Sequence, residues 1–369
     1  VADLVRPGMV FAEDGDLLSG VLDRDIFSKT LKFVCKGGPA SALRFDKLVL
    51  NSVDVSDTTA QVGPDTVAKI LMTSGSTSYP KGVPTTHRMM CSNQAQISYA
   101  LPFLSERPPV IVDWLPWNHV FGGSHNFNMI LANGGALYID AGKPTPQLVS
   151  KTLENLRLKT GTMAFNVPIG FSMIRDELQR DKALRQRYFE ELDMLFYAGA
   201  SLPQDVWSDL ENMAQEVRGD IPLFTSSWGL TETAPAVLLQ HEPTDRSGVI
   251  GVPFPGCEVK LIPDADMRCE VRVKGPNVFA GYFNNDDATA GAFDEEGFFK
   301  TGDAMVFVDP QDPNKGLKFD GRISEEFKLL TGTWVRAATL RLQVLGALGT
   351  LASDVVLSCA GWRDIGSVV

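Results

Sequence analysis

Thr73-Ser-Gly-Ser-Thr-Ser-Tyr-Pro-Lys-Gly82 is the stretch whose reading decides the fold. The apolar run before it, Val67-Ala-Lys-Ile-Leu-Met72, reads as a strand, and a helix-compatible segment begins near His87. Five Ser/Thr hydroxyls, two glycines and one lysine set between strand and helix suit the wrapping of a polyanion. Glycine lets the backbone approach closely, N–H groups and hydroxyls point at phosphate oxygens, and Lys81 supplies a point charge. Gly75 and Lys81 are in register with the phosphate-binding pattern G-x-x-x-x-G-K-[ST]. Pro80 and Gly82 stand where that pattern has its second Gly and terminal hydroxyl, so the motif itself is not present. A Ser/Thr/Gly surface loop has the same composition and stays open at this point.

Outward from this loop, Val110–Leu115, Met163–Val167 and Met194–Ala198 read as strands. They alternate with helix-length stretches at Pro146–Leu158, Asp176–Leu192 and from Pro203 to about Val217. Strand–helix alternation predicts an α/β layered fold. The aromatic turn Pro116-Trp-Asn-His-Val-Phe-Gly-Gly123 follows the Val110 strand. Upstream, Leu31–Cys35 and Leu48–Leu50 are further strand candidates. After Asp245 the texture changes to short β segments (Gly256–Ile262, Glu270–Val273, Ala304–Val308, Leu317–Phe319) punctuated by Gly, Pro, Asn and Asp, which predicts a small β barrel over 246–322.

Composition narrows the function classes. At 369 residues, 44% hydrophobic and 21% charged, the chain reads as globular with two domains or one large layered one. A net charge of −11 disfavours nucleic acid and anionic membrane surfaces as partners. Cys35, Cys91, Cys257, Cys269 and Cys359 are scattered with no C-x-x-C, which suits a reducing compartment and neither a disulfide framework nor zinc. No apolar run of spanning length and no leader is evident, and the first residue is Val, so a cytoplasmic setting is expected for a chain read as starting downstream of its natural beginning.

Three more motifs carry chemistry. In Ser226-Ser-Trp-Gly-Leu-Thr-Glu232, Trp228 offers a face for a purine, Gly229 close approach, and Thr231 with Glu232 partners for phosphate and Mg²⁺. A buried Trp at a strand end with a capping Thr is the bland alternative. Thr301-Gly-Asp303 reads as a carboxylate after a tight turn, suited to ribose hydroxyls, and Asp320-Gly-Arg322 as a second such turn.

Taken together, TSGSTSYPKG, WGLTE, TGD and GRISEEFKLLTGTWV resemble, in order and spacing over about residues 60–345, the adenylate-forming superfamily of acyl-CoA synthetases, adenylation domains and luciferases. FNVPIGF, SSWGLTETAPAV and FKLLTGTWV are most similar to feruloyl-CoA synthetase-type aryl-CoA ligases. The resemblance implies a layered αβαβα core of two related subdomains over 1–245 with the phosphate loop and the adenine and acyl pockets. It further implies a β-barrel subdomain over 246–322 and the start of a truncated C-terminal α+β domain at 323–369. The implied activity joins a small carboxylic acid to CoA at the expense of ATP with Mg²⁺, through an acyl-adenylate; homodimer formation is left open.

Carried over by motif, Thr73, Ser74, Gly75, Ser76, Thr77 and Lys81 would hold the β/γ-phosphates. Ala198, Gly199 and Ala200 would line adenine on one face, with Ser227, Trp228 and Gly229 on the other. Thr231 would meet the α-phosphate, Glu232 the Mg²⁺, and Asp303 with Arg322 the ribose. Trp117, His119, Phe121, Phe165, Val167 and Pro168, with Phe171, would wall the acyl pocket. His119 would gate the carboxylate, although a packed core histidine is equally consistent. Lys81, Thr231, Glu232 and His119 are the catalytic candidates.

Three departures stand against the family pattern. Ser78 replaces a loop Gly, Ser324 stands at the hinge position with Glu325 and Glu326 beside it, and the chain stops before the region of the adenylation lysine, a role Lys328 does not fill. Two rivals remain: a G-x-S-x-G-like elbow at Gly199–Pro203, which Pro203 breaks, and a non-catalytic nucleotide-binding relative.

Overall fold

The computed structural model describes residues 1–48, 54–73, 79–264 and 267–323. Beyond these it describes Leu340, Val344 and the strand segments Glu326–Lys328, Trp334–Arg336, Val356–Ala360 and Asp364–Val368. The chain forms two compact units, Val1–His87 with Phe279–Ala290, and Arg88–Val278 with Gly291–Val369.

In the smaller unit, β1 (Met9–Asp14), β2 (Leu31–Lys36) and β3 (Leu43–Arg44) form a parallel three-stranded sheet. The expected Leu31–Cys35 strand is therefore present, while Leu48–Leu50 runs into residues outside the described ones. The phosphate-loop stretch has a different frame from the expected strand–loop–helix. β4 (Val67–Thr73) and β5 (Lys81–Thr86) pair antiparallel, so Lys81 begins a strand rather than leading into a helix. The physical cause lies in Lys81-Gly-Val-Pro-Thr-Thr86, whose β-branched Val83, Thr85 and Thr86 favour extended backbone. The helix His87–Ala100 starts only after this second strand.

The larger unit is built on one mixed sheet. β6 (Val110–Asp113), β7 (Ala136–Ile139), β8 (Met163–Asn166), β9 (Met194–Tyr197) and β10 (Leu223–Gly229) are parallel in the order β7-β6-β8-β9-β10. β11 (Ala236–Leu239), β12 (Val249–Pro253), β13 (Glu258–Pro263), β14 (Cys269–Lys274), β15 (Phe299–Phe307) and β16 (Leu317–Arg322) extend it antiparallel, in the order β11-β12-β16-β15-β14-β13. Thr301–Asp303 thus lies inside β15 and Asp320–Arg322 ends β16, rather than each forming a tight turn. Gly302 and Gly321 lie at positive φ inside them, a conformation that needs no turn when a ladder bond is skipped.

Side chains alternate across the sheet, and β9 shows it most clearly. Leu195 and Tyr197 join a core with Phe171, Leu178, Tyr188, Phe189, Trp207 and Leu210 from three helices, Pro168–Arg180, Lys182–Glu190 and Gln204–Arg218. Met194 and Phe196 face the other way, onto Ile97, Phe121, Met129 and Phe165. Each such side chain, fully buried, contributes about 1.5–3 kcal/mol, which is why a strand apolar on every position is sandwiched between two layers.

Two helix boundaries differ from expectation. The predicted helix Asp176–Leu192 is two helices, because the Asp181 carboxylate accepts the Leu184 N–H at 3.0 Å and caps a fresh start. The helix expected from Pro146 begins at Val149. Among the described residues no helix is long and apolar enough to cross a membrane.

Candidate functional site

Parallel strands place their carboxyl ends on one edge of a sheet, where α/β folds collect ligand-binding side chains. The register Asn166↔Tyr197 and Tyr197↔Ser226 aligns the ends of β8, β9 and β10. Val167 and Pro168 follow β8, Ala198, Gly199 and Ala200 follow β9, and Ser227, Trp228 and Gly229 end β10. Topology therefore brings these sequence-expected residues to one edge. Gly199 sits at φ 90°, where an L side chain is strained. At Gly229 a Cβ would stand 1.8 Å from the Pro235 carbonyl oxygen, so only glycine lets the chain fold back there.

Trp228, Asp303 and Arg322 form one connected group. The buried Trp228 indole Nε1–H donates to Asp303 Oδ2 at 2.9 Å. Arg322 Nε lies 3.2 Å from Asp303 Oδ1, and the register sets β15 Asp303 opposite β16 Arg322. Asp303 is only 2% exposed, whereas the Arg322 side chain is half exposed. The indole N–H thus orients the carboxylate, and the guanidinium that forms an ion pair with it reaches solvent.

Thr231 and Glu232 lie in the short turn Thr231–Thr233, with Glu232 9% exposed. The signals for what holds this turn were missed in the sequence. Asn277, fully buried, donates from Nδ2 to the Thr233 carbonyl at 2.7 Å and the Ala236 carbonyl at 2.9 Å. Asn93, also fully buried, donates to the Ala236 carbonyl at 2.7 Å. An Asn in a Gly-Pro-Asn run just after a strand, at Gly275–Asn277, is the sequence feature that pointed there.

The aromatic turn after β6 departs from a simple loop. His119 is exposed and caps a π-helical run, Val120–Phe127, its Nδ1 accepting the Phe121 N–H at 3.2 Å. Trp117 is 48% exposed and packs on Phe127, with ring centroids 4.8 Å apart. Phe121 and Phe165 are buried 6.2 Å apart. Phe171 does not join them: it packs with Leu195 and Tyr197 on the opposite face, because it belongs to the helix over that side of the sheet.

The histidine that the structure places among these buried aromatics is His125, which sequence reading did not single out. It is 3% exposed, with ring centroids 6.0 Å from Phe121, 5.5 Å from Phe165 and 5.0 Å from Phe196. Its Nδ1 lies 2.9 Å from Asn126 Oδ1, and Asn126 Nδ2 donates to Asp113 Oδ2 at 2.9 Å. Asp113 Oδ1 accepts the Leu115 N–H at 2.9 Å. Burial pushes Asp113 up to about 6, against the bonds from Asn126 and Leu115, and burial pushes His125 down to about 4.

In the smaller unit, Thr73 pairs directly across from Lys81. Lys81 Nζ lies 4.7 Å from the centre of the Tyr282 ring, a cation–π contact that restrains it. Ser74, Gly75, Ser76, Thr77 and Ser78 lie outside the described residues, as do Ser324 and Glu325. Among the described residues no cluster of three or more His, Cys, Asp or Glu is arranged to hold a metal ion. A single carboxylate such as Glu232 fits Mg²⁺, which takes one or two protein carboxylates and completes its shell with phosphates and water.

The chain is 27% identical over 316 residues to a peroxisomal long chain acyl-CoA synthetase 6 of Arabidopsis thaliana, covering 74% of this chain and 43% of that protein. It is 30% identical over 260 residues to a long-chain-fatty-acid–CoA ligase of Salmonella typhimurium, covering 66% and 43%. The chain thus spans less than half the length of these relatives. The fold matches an anthranilate CoA ligase solved with anthranoyl-AMP at a TM-score of 0.77 and 17% identity, covering 99% of this chain and 68% of that one. The AMP-binding enzyme family matches residues 15–283, and the chain belongs to it.

Proposed function

We propose that the protein is an ATP-dependent acid–CoA ligase that activates a hydroxycinnamate-like aromatic acid. The observation that carries the reading is the Trp228–Asp303–Arg322 group set at the carboxyl edge of the sheet on a chain of the AMP-binding family. In the first half-reaction a carboxylate oxygen attacks the α-phosphorus of ATP, the bond to the bridging oxygen breaks, and pyrophosphate leaves. In the second, the CoA thiolate attacks the acyl carbonyl carbon and AMP leaves.

Both partners of the first step are anionic, so positioning and charge neutralisation dominate. Lys81, Thr73, Ser74, Gly75, Ser76 and Thr77 take the β/γ-phosphates, and Lys81 is a positioning charge. Thr231 donates to the α-phosphate oxygen on which charge develops. Glu232 would hold Mg²⁺, whose charge offsets that of the triphosphate. Asp303 and Arg322 take the ribose hydroxyls, and Ala198, Gly199, Ala200, Ser227, Trp228 and Gly229 frame adenine. Cys35, Cys91, Cys257 and Cys269 are free thiols, which suits a cytoplasmic setting.

The aromatic acid is favoured by the ring group of Phe121, Phe165, His125 and Phe196, with Trp117, His119, Val167 and Pro168 nearby in sequence on the same strand ends. Relatives named for long-chain fatty acids supply the rival substrate class. AMP release with MgATP, CoA and a panel of cinnamates, benzoates and fatty acids tests the reading. AMP formed with cinnamates supports it, AMP formed only with fatty acids moves the substrate class, and no AMP with any acid overturns the ligase reading.

A further inference from the structure

We propose that Tyr282 is a positioning residue for nucleotide binding, its ring face holding the Lys81 ammonium ready for the β- and γ-phosphates before ATP arrives. The inference rests on the ligase reading above. It joins two stretches that lie far apart in the chain, Lys81-Gly82 and Gly281-Tyr-Phe-Asn284.

Both stretches belong to the smaller unit, in which Phe279–Ala290 accompanies Val1–His87. The Phe283 N–H donates to the Gly82 carbonyl at 2.8 Å, so the later segment docks on β5 next to Lys81. A Cβ at Gly82 would stand 3.1 Å from Ile70 Cγ2 and 3.4 Å from Phe283 Cβ, so glycine keeps this approach open. Docking brings Tyr282 beside Lys81, whose Nζ lies 4.7 Å from the ring centre. The ring is itself held. Phe279, 2% exposed, packs against it in a T-shaped arrangement with centroids 4.9 Å apart. The Tyr282 N–H donates to Thr289 Oγ1 at 2.9 Å, and that hydroxyl donates onward to the Asn285 carbonyl at 2.8 Å.

An aromatic face suits this task better than a carboxylate. Among the described residues no carboxylate pairs with Lys81. An ion pair would offset the charge that a triphosphate needs and would have to break when the triphosphate bound. The ring quadrupole attracts the ammonium without a countercharge. An ammonium has three N–H donors, so those turned away from the ring stay available for phosphate oxygens. Lysine is among the side chains that lose most rotamer freedom when ordered, and a seated lysine has lost part of it before the ligand binds.

The test is the affinity of the full chain for MgATP and for AMP, measured by titration calorimetry with no acid present, in the parent, Tyr282→Leu and Tyr282→Phe. AMP has no β- or γ-phosphate, so it measures the rest of the nucleotide site and reports that each variant is folded. Tyr282→Leu should weaken MgATP about 3- to 30-fold while AMP stays within about twofold of the parent. Tyr282→Phe keeps the ring face and should hold MgATP affinity within about twofold of the parent. In a Lys81→Met background Tyr282→Leu should bring no further loss, because the two side chains act as one unit.

Equal weakening of MgATP and AMP in Tyr282→Leu assigns the ring to packing and overturns the proposal. Unchanged MgATP affinity overturns it too, as does a loss in Tyr282→Phe as large as in Tyr282→Leu, or the full loss repeated in the Lys81→Met background. Each of these results leaves the ligase reading standing. A parent that binds neither nucleotide removes that reading and the lysine seat with it.

Discussion

Asp113→Asn and His125→Gln should reveal two opposite pH dependences of stability that cancel in the unmodified protein. Asp113 is raised from 3.8 to about 6 in the fold, so its contribution is fully present below 3.8 and is lost as pH rises through about 6. His125 is depressed from 6.5 to about 4, so its contribution is present above 6.5 and is lost as pH falls through about 4. At ~1.36 kcal/mol per pKa unit each shift is worth about 3 kcal/mol, with opposite sign. Near pH 5 the folded pair holds its one proton on Asp113 and the unfolded pair holds one on His125. Their net proton uptake on unfolding is close to zero, and so is the slope.

Removing one member exposes the other. Relative to the parent, Asp113→Asn should gain about 1.2 kcal/mol of stability per pH unit as pH rises from 4 to 6. His125→Gln should lose about the same amount per unit over the same interval. Urea unfolding followed by the emission of the six tryptophans, at four pH values in that window, measures both as differences from the parent. Subtraction cancels the titration of every other group. Slopes of the same sign in the two variants, or no slope in either, would refute the burial-driven pair. Asp140, whose charge adds to the upward shift of Asp113, gives an internal check, since Asp140→Asn should flatten the His125→Gln slope.

The other predictions concern the turn and the nucleotide group. Glu232→Gln should lower AMP formation by about 100-fold and raise the Mg²⁺ requirement while the thermal midpoint moves little; equal loss of both would make Glu232 structural. Asn277→Leu removes the Asn donor of the Thr233 carbonyl, while the Ala236 carbonyl keeps that of Asn93, and should cost about 1–3 kcal/mol in urea unfolding, a loss below about 0.5 arguing against the clamp. Trp228→Phe keeps an aromatic face but removes the N–H from Asp303, so AMP affinity by titration should weaken about tenfold, and unchanged affinity would detach Asp303 from the nucleotide.

How much of this was legible in the sequence depended on whether the signal was periodic or relational. Val110–Asp113, Met163–Asn166 and Met194–Tyr197 are apolar runs, and their burial on both faces needs no long-range knowledge. The β4–β5 pairing was hidden because Lys81-Gly-Val-Pro-Thr-Thr86 contains Gly and Pro, which mark loops locally, while pairing with Val67–Thr73 overrides that preference. Asp181 shows the reverse error, since one capping carboxylate splits a run whose composition is helical throughout.

His125 and Asn126 were passed over for a reason that applies to any buried relay. In sequence, His119 is the more conspicuous residue, between Trp117 and Phe121, yet its ring is spent on capping the Phe121 N–H at an exposed position. Asn126 joins two titratable groups only because the π-helical run turns it back toward β6, thirteen residues upstream. A π turn places successive side chains about 82° apart rather than the 100° of an α-helix, estimated from i→i+5 hydrogen bonding. That difference brings His125 onto the aromatic side and Asn126 onto Asp113. With ordinary α-helical winding this relay would break. The irregular backbone is therefore what joins the buried histidine to Asp113, and no residue-by-residue pattern encodes it.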